Sequence, residues 1–182
     1  RAAKTIRLSS LENKNEEYSD PELIKQIFEE SGKLASNVLA PLNSTGDKEG
    51  LSLENGEVKM PNGFVDAYDQ YVKGGWASVA GSKDYGGQEM PWRVVGGLNE
   101  IWHAANMSFS LNMLLTQGAI EAIEAYGTDE QKEKYLPKMI SGEWSGTMNL
   151  TESQAGSDLS LLKTKALPHD ELYKIYGNDN KY

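Results

Sequence analysis

The sequence predicts a mainly α fold with a β-rich C-terminal part. Four stretches between residues 20 and 126 carry apolar residues at helical spacing, and a fifth opens on a capping box at Thr128. After Trp144 the period becomes two, with Gly146, Met148 and Leu150 alternating against Thr147, Asn149 and Thr151. That change sets the expected boundary: 1–144 as a helical domain, and 145–182 as the incomplete start of a β-rich domain. A chain of 182 residues is long enough for one sizeable core, or for one domain and part of a second.

The first helix is expected to start at Ser19-Asp20-Pro21-Glu22, where a capping residue, an early proline and an acid in the first turn coincide. Leu23, Ile24, Ile27, Phe28, Leu34, Val38 and Leu39 supply its stripe, and Pro41 is expected to end it. Asn55-Gly56 tolerates the positive φ of a tight turn and predicts a small surface hairpin over 51–60. A second helix is expected from Pro61, with Phe64, Val65, Tyr68, Tyr71 and Val72 on one face and Gly74-Gly75 closing it. Residues 81–91 are rich in glycine and polar side chains and read as a loop.

A third helix from Trp92 shows Val94, Val95, Leu98, Ile101, Trp102 and Ala105 at close to ideal spacing, with His103 beside the stripe as a surface or hydrogen-bonded core histidine. Residues 109–126 make a more apolar helix through Leu111, Leu114, Leu115, Ala119, Ala122 and Ile123, with Gly127 at its C-terminal cap. The fifth helix runs from Thr128 toward Pro137, which must kink or end it before Ser141-Gly142. Further strands are expected at 162–167 and 172–176.

Composition removes several classes of function. The net charge is −9 and the basic residues form no long run, so a nucleic-acid footprint is absent. With no cysteine and only His103 and His169, neither a disulfide nor a zinc site is expected, so no metal is assigned. No apolar run approaches the roughly 20 residues that span a bilayer. The expected location is cytoplasmic, with the mitochondrial matrix as alternative; Arg1, Lys4 and Arg7 among small residues read as an exposed terminus. There is no G-x-G-x-x-G and no phosphate loop of the Walker type, which removes the main support for nicotinamide or ATP.

The most informative stretch is Met148-Asn149-Leu150-Thr151-Glu152-Ser153-Gln154-Ala155-Gly156-Ser157-Asp158, an alternating strand that runs into a polar, glycine-bearing turn. Such a turn can present amides and hydroxyls to an anion. Read alone, it is also a polar turn in which Ser157 and Asp158 satisfy local amides. Together with Lys163-Thr164-Lys165-Ala166 it resembles the flavin-binding segment of the acyl-CoA dehydrogenase family, with Ser153 standing where the family usually has proline. Gly127-Thr128-Asp129-Glu130-Gln131-Lys132-Glu133-Lys134-Tyr135-Leu136-Pro137 and Ser141-Gly142-Glu143-Trp144 are similar to the helix that leads into that segment. Val38-Leu39-Ala40-Pro41-Leu42-Asn43, Asp84-Tyr85-Gly86-Gly87-Gln88 and Leu114-Leu115-Thr116-Gln117-Gly118-Ala119 resemble the 3-methylmercaptopropionyl-CoA dehydrogenase type within the family.

The resemblance implies an N-terminal helical domain followed by the opening strands of a middle β-barrel domain. It also implies FAD as cofactor and α,β-dehydrogenation of an acyl-CoA substrate. Met148 and Leu150 would lie against the isoalloxazine, and the Thr151 hydroxyl and amide would bond its polar edge. Gly156 and Ser157 would meet the FAD pyrophosphate or the neighbouring CoA phosphates, while Leu111, Leu114, Leu115 and Gly118 would line the acyl pocket. In the family the glutamate base lies in a C-terminal helical domain, so no catalytic residue is assigned here, and Glu152 is rejected for that role. An electron-transfer flavoprotein or other acceptor, and homo-oligomerisation of the complete protein, are the implied partners. The tail departs, because 172–177 fits the family's next strand but 178–182 does not continue into its usual Q-K-x-x-I-T segment. A non-catalytic helical binding or scaffolding module, and a flavin-dependent acyl-CoA oxidase, are the alternative functions.

Overall fold

Asp20 accepts the Glu22 amide at 3.0 Å and, with Pro21 next to it, opens α1 (Pro21–Leu34). The structure, a computed structural model, describes Tyr18, residues 20–170 and residues 172–177. Two sequence expectations, the basic stretch with Arg1, Lys4 and Arg7 and the tail 178–182, lie outside those residues.

Pro41 does not end the first helix. Residues Ala35–Leu39 form a π turn in which the Ala40 amide reaches back to the Ala35 carbonyl, and α2 (Ala40–Glu49) continues beyond it. The wide turn resets the hydrogen-bond register so that Pro41, which has no N–H, falls in the first turn of α2 where no amide is needed. The hairpin forms as expected from β1 (Ser52–Glu54) and β2 (Glu57–Lys59), paired antiparallel with Leu53 opposite Val58. Asn55 at φ 53° and Gly56 at φ 82° make its turn.

The next helix, α3 (Phe64–Lys73), begins three residues later than expected because Gly63 occupies the left-handed region at φ 86°. Phe64, Ala67 and Tyr71 are buried, whereas Val65 is 63% exposed and does not belong to the core face. The loop at 81–91 is ordered by its own amides: Gln88 N–H donates to the Ser78 carbonyl at 2.9 Å and Met90 N–H to Val79 at 2.8 Å. On α4 (Trp92–Ala105), Val94, Val95, Leu98 and Trp102 are buried as the spacing predicts. His103 Nδ1 lies 2.7 Å from the Asn99 carbonyl on the helix flank.

Asn106 caps α5 (Met107–Tyr126) by accepting the Phe109 amide at 3.1 Å, and its own amide donates to the Leu39 carbonyl at 3.1 Å. The buried face of α5 is Phe109, Ser110, Thr116 and Ile120 rather than the leucine set. Leu111 and Leu114 are 46% and 49% exposed, so packing on the helical core does not account for them. Gly127 closes the helix with its amide on the Ile123 carbonyl at 2.7 Å, although its φ is −69° and not left-handed. The capping box forms in full on α6 (Asp129–Ile140), and Pro137 is accommodated inside its last turn. The main core has Leu39, Leu98 and Trp102 at its centre with the Tyr71 ring set edge-on to Trp102 at 5.2 Å, and a second cluster of Ile120, Leu136, Met139 and Ile140 joins α6 to α5.

The chain divides into two compact units, Arg1–Thr147 and Met148–Tyr182. In the second, β3 (Lys165–His169) pairs antiparallel with β4 (Leu172–Tyr176), with Lys165 opposite Tyr176 and His169 opposite Leu172. β3 starts three residues after the expected position. The strand expected over 146–151 is absent among the described residues, where only Glu152 pairs, in an isolated bridge with Ala155. Alternating side chains favour an extended chain, but a strand also needs a neighbour to complete its hydrogen-bond ladder.

Candidate functional site

The turn that follows Leu150 is built around one carboxylate. Glu152 and Ala155 exchange both backbone hydrogen bonds, Ala155 N–H to Glu152 O at 3.0 Å and Glu152 N–H to Ala155 O at 3.1 Å. This closes a two-residue turn with Ser153 and Gln154 at its corners. The Glu152 side chain then accepts the Lys163 amide at 3.1 Å and the Thr164 amide at 2.8 Å, and the Gln154 side chain donates to it as well. The Thr164 hydroxyl and amide, followed by the Lys163 amide, hold the Glu152 carboxyl down at about 2. A carboxylate so satisfied is a poor proton acceptor.

Asp158 caps the short 3₁₀ turn Leu159–Leu161, accepting from the Ser160 hydroxyl at 2.6 Å and amide at 3.0 Å, and these two bonds lower its pKa. Asp158 therefore serves the backbone. Ser157 does not: its hydroxyl and that of Thr151 are exposed and hold no hydrogen bond among the described residues. A side chain at Gly156 would meet only the Thr151 methyl, at 3.7 Å, so the backbone there is open to close approach. Met148 and Leu150 are 65% and 42% exposed. Within this unit the segment 148–157 thus presents two apolar side chains, two free hydroxyls and an uncovered glycine in ten residues. That set fits a flavin, which needs an apolar surface for its ring and uncharged donors for its polar edge and phosphates.

The helical unit holds a cavity of about 1050 Å³ lined by Trp76, Glu89, Trp102, Thr116, Gly118 and Glu124 among others. Gly118 is the one predicted acyl-pocket residue that lines it; Leu111, Leu114 and Leu115 do not. Burial, and then the neighbouring Glu89 carboxylate, raises the pKa of Glu124. With Glu121 also in the wall, the cavity is a poor receptor for phosphates. Among the described residues no group of three or more histidines, cysteines or acids is placed to hold a metal, and no helix is long and apolar enough to cross a membrane.

The profile of the acyl-CoA dehydrogenase N-terminal domain matches residues 21–143. This chain belongs to the acyl-CoA dehydrogenase family. It is 48% identical over 163 residues to 3-methylmercaptopropionyl-CoA dehydrogenase of Ruegeria pomeroyi, covering 88% of this chain and 28% of that protein. The helical architecture superposes on the acyl-CoA dehydrogenase of Geobacillus kaustophilus with a TM-score of 0.72 at 24% identity, covering 87% of this chain and 39% of that one. A second structure, an acyl-CoA dehydrogenase from Bacillus anthracis in complex with FAD, gives a TM-score of 0.71 at 21% identity and covers 88% of this chain and 26% of that one. The chain therefore spans between about a quarter and two fifths of the length of these family members.

Sequence reasoning missed two features of this acyl-CoA dehydrogenase domain. The Glu152 clasp joins residues 11 and 12 positions apart, a separation with no local signature. The Thr116 hydroxyl, buried in α5, accepts the Gly146 amide at 3.1 Å across 30 residues. A mid-helix threonine was its only trace in the sequence.

Proposed function

We propose that this chain is part of an FAD-dependent acyl-CoA dehydrogenase, contributing the helical domain (1–144) and the first segment of the flavin-binding β-domain (145–182). The observation that carries the reading is the turn at 151–158. Its acidic members, Glu152 and Asp158, are consumed by backbone amides, while the Thr151 and Ser157 hydroxyls stay available. Both carboxylates stay ionised, but their oxygens are turned onto backbone amides, which leaves the uncharged hydroxyls and the open glycine as the groups offered to a ligand.

Bound FAD would accept the substrate's β-hydride as a base takes the α-proton. In this proposal Met148 and Leu150 pack against the ring and keep water from it, and Thr151 orients its polar edge. Gly156 and Ser157 bond the pyrophosphate or the adjacent CoA phosphates without adding charge. Leu111, Leu114, Leu115 and Gly118 form the wall for the acyl chain, which gives the exposed leucines of α5 a role that core packing does not. The base comes from the C-terminal helical domain expected of the family, the electrons leave to an electron-transfer flavoprotein or a similar acceptor, and the complete enzyme is a homo-oligomer.

The deciding measurement is a visible spectrum of the purified full-length protein beside its intact mass. A flavin band that bleaches on adding an acyl-CoA supports the reading, and a colourless protein that gains no band with added FAD sinks it. Thr151→Ala and Ser157→Ala in that protein should each weaken FAD retention by about tenfold, the equivalent of one hydrogen bond. Unchanged retention in both would remove the proposed site.

A further inference from the structure

We propose that Thr116 is a positioning residue: it latches the root of the flavin-binding segment to the helix that carries the acyl-wall residues. The inference rests on the function proposed above. The Thr116 hydroxyl donates to the Asn112 carbonyl at 2.8 Å and accepts the Gly146 amide at 3.1 Å. A hydroxyl has one proton, so once that proton is given to Asn112 only lone pairs face Gly146. Both bonds are satisfied together, and Thr116 is 8% exposed, so water is a poor substitute acceptor for the Gly146 amide.

A second, independent observation lies at the other partner. A Cβ on Gly146 would fall 2.5 Å from Cβ of Ala119 and 3.3 Å from Cα of Thr116. The chain at residue 146 thus lies against one turn of α5 at a distance that glycine alone permits. Leu115 and Gly118 are the immediate neighbours of these two contact residues, about 100° round the helix. Met148 follows Gly146 by two residues. One turn of α5 therefore holds the chain at Gly146, two residues before the proposed flavin-binding segment, and carries acyl-wall positions beside those contacts, so in this proposal Thr116 acts on both without touching flavin or substrate.

The test uses the full-length protein and three readouts: hydrogen exchange at the Gly146 amide, FAD affinity, and the rate of flavin reduction by an acyl-CoA. Thr116→Val keeps the shape but has no acceptor. It should speed Gly146 exchange and slow flavin reduction by about tenfold each, as expected for one lost buried hydrogen bond, with FAD affinity nearly unchanged. Thr116→Ser should restore both. Gly146→Ala should slow reduction with the hydroxyl intact, and Ala119→Gly added to it should recover the rate by making room for the new methyl. Wild-type exchange in Thr116→Val, or fast exchange with unchanged reduction, overturns the latch, as does failure of Ala119→Gly to rescue. The glycine pair decides the matter if Thr116→Val does not fold. A wild-type protein that binds FAD and is reduced by no acyl-CoA overturns the functional reading and the positioning role together, while Gly146 exchange still reports whether the hydrogen bond exists.

Discussion

The helical unit and the unit after residue 147 hold their shapes by different means. In the first, Leu39, Leu98 and Trp102 are at most 1% exposed and the helices share an aromatic and aliphatic core. In the second, Ala155 is the one buried residue among those described, and Leu172, Tyr173 and Ile175 are 75%, 67% and 68% exposed. A two-stranded hairpin with both faces open has little hydrophobic stabilisation of its own. The turn at 151–158 keeps its form through polar bonds to Glu152 and Asp158, and the lesson is that a loop can be shaped locally by hydrogen bonds where burial contributes little.

The largest expected effect probes the core. Trp102→Ala should cost about 3–5 kcal/mol, through lost burial and the cavity left beside Tyr71 and Trp76, whereas Leu172→Ala should stay within about 0.5 kcal/mol. Urea denaturation followed by circular dichroism checks both. Equal losses would abolish the contrast between the units.

A smaller effect separates the units by pH. The Glu152 carboxyl sits at about 2 against its usual 4.5. A lowered folded-state value means that the clasp contributes fully above pH 4.5 and is lost as pH falls toward 2. Amide chemical shifts of Lys163 and Thr164 should titrate with a midpoint near 2, and Glu152→Gln should remove the titration and speed exchange of both amides. A midpoint near 4.5 would mean that the clasp does not hold in solution.

The smallest effect concerns the departure from the family pattern. Ser153 occupies the first corner of the turn with a negative φ, a position that suits proline. Ser153→Pro should stabilise the turn by ~0.5 kcal/mol, chiefly by restricting the unfolded chain, and slow exchange at the Ala155 amide. Faster exchange there would show that the serine backbone is one proline cannot adopt.

Much of the helical unit was legible because its signals are local. Asp20-Pro21, the Thr128 and Gln131 capping box and Asn55-Gly56 act on amides within three residues, and the stripe on α4 needs only the helical period. Failures fell where a neighbour decides. Pro41 reads as a stop until a π turn moves it into a first turn. The leucines of α5 read as its packing face, yet the helix turned Phe109, Thr116 and Ile120 to the core instead.

The same division holds at the candidate site. The motif 148–158 identified the family and the residue types suited to a flavin from the sequence by itself, because those types and their order are linear properties. Tertiary structure alone decided which acid is held by distant amides, which hydroxyls remained free, and that Thr116 meets Gly146, because each depends on hydrogen bonds between residues that the chain brings together only by folding. The extended run at 146–151 is the limiting case: its alternation is written in the sequence, but a strand exists only when a second one supplies its hydrogen bonds.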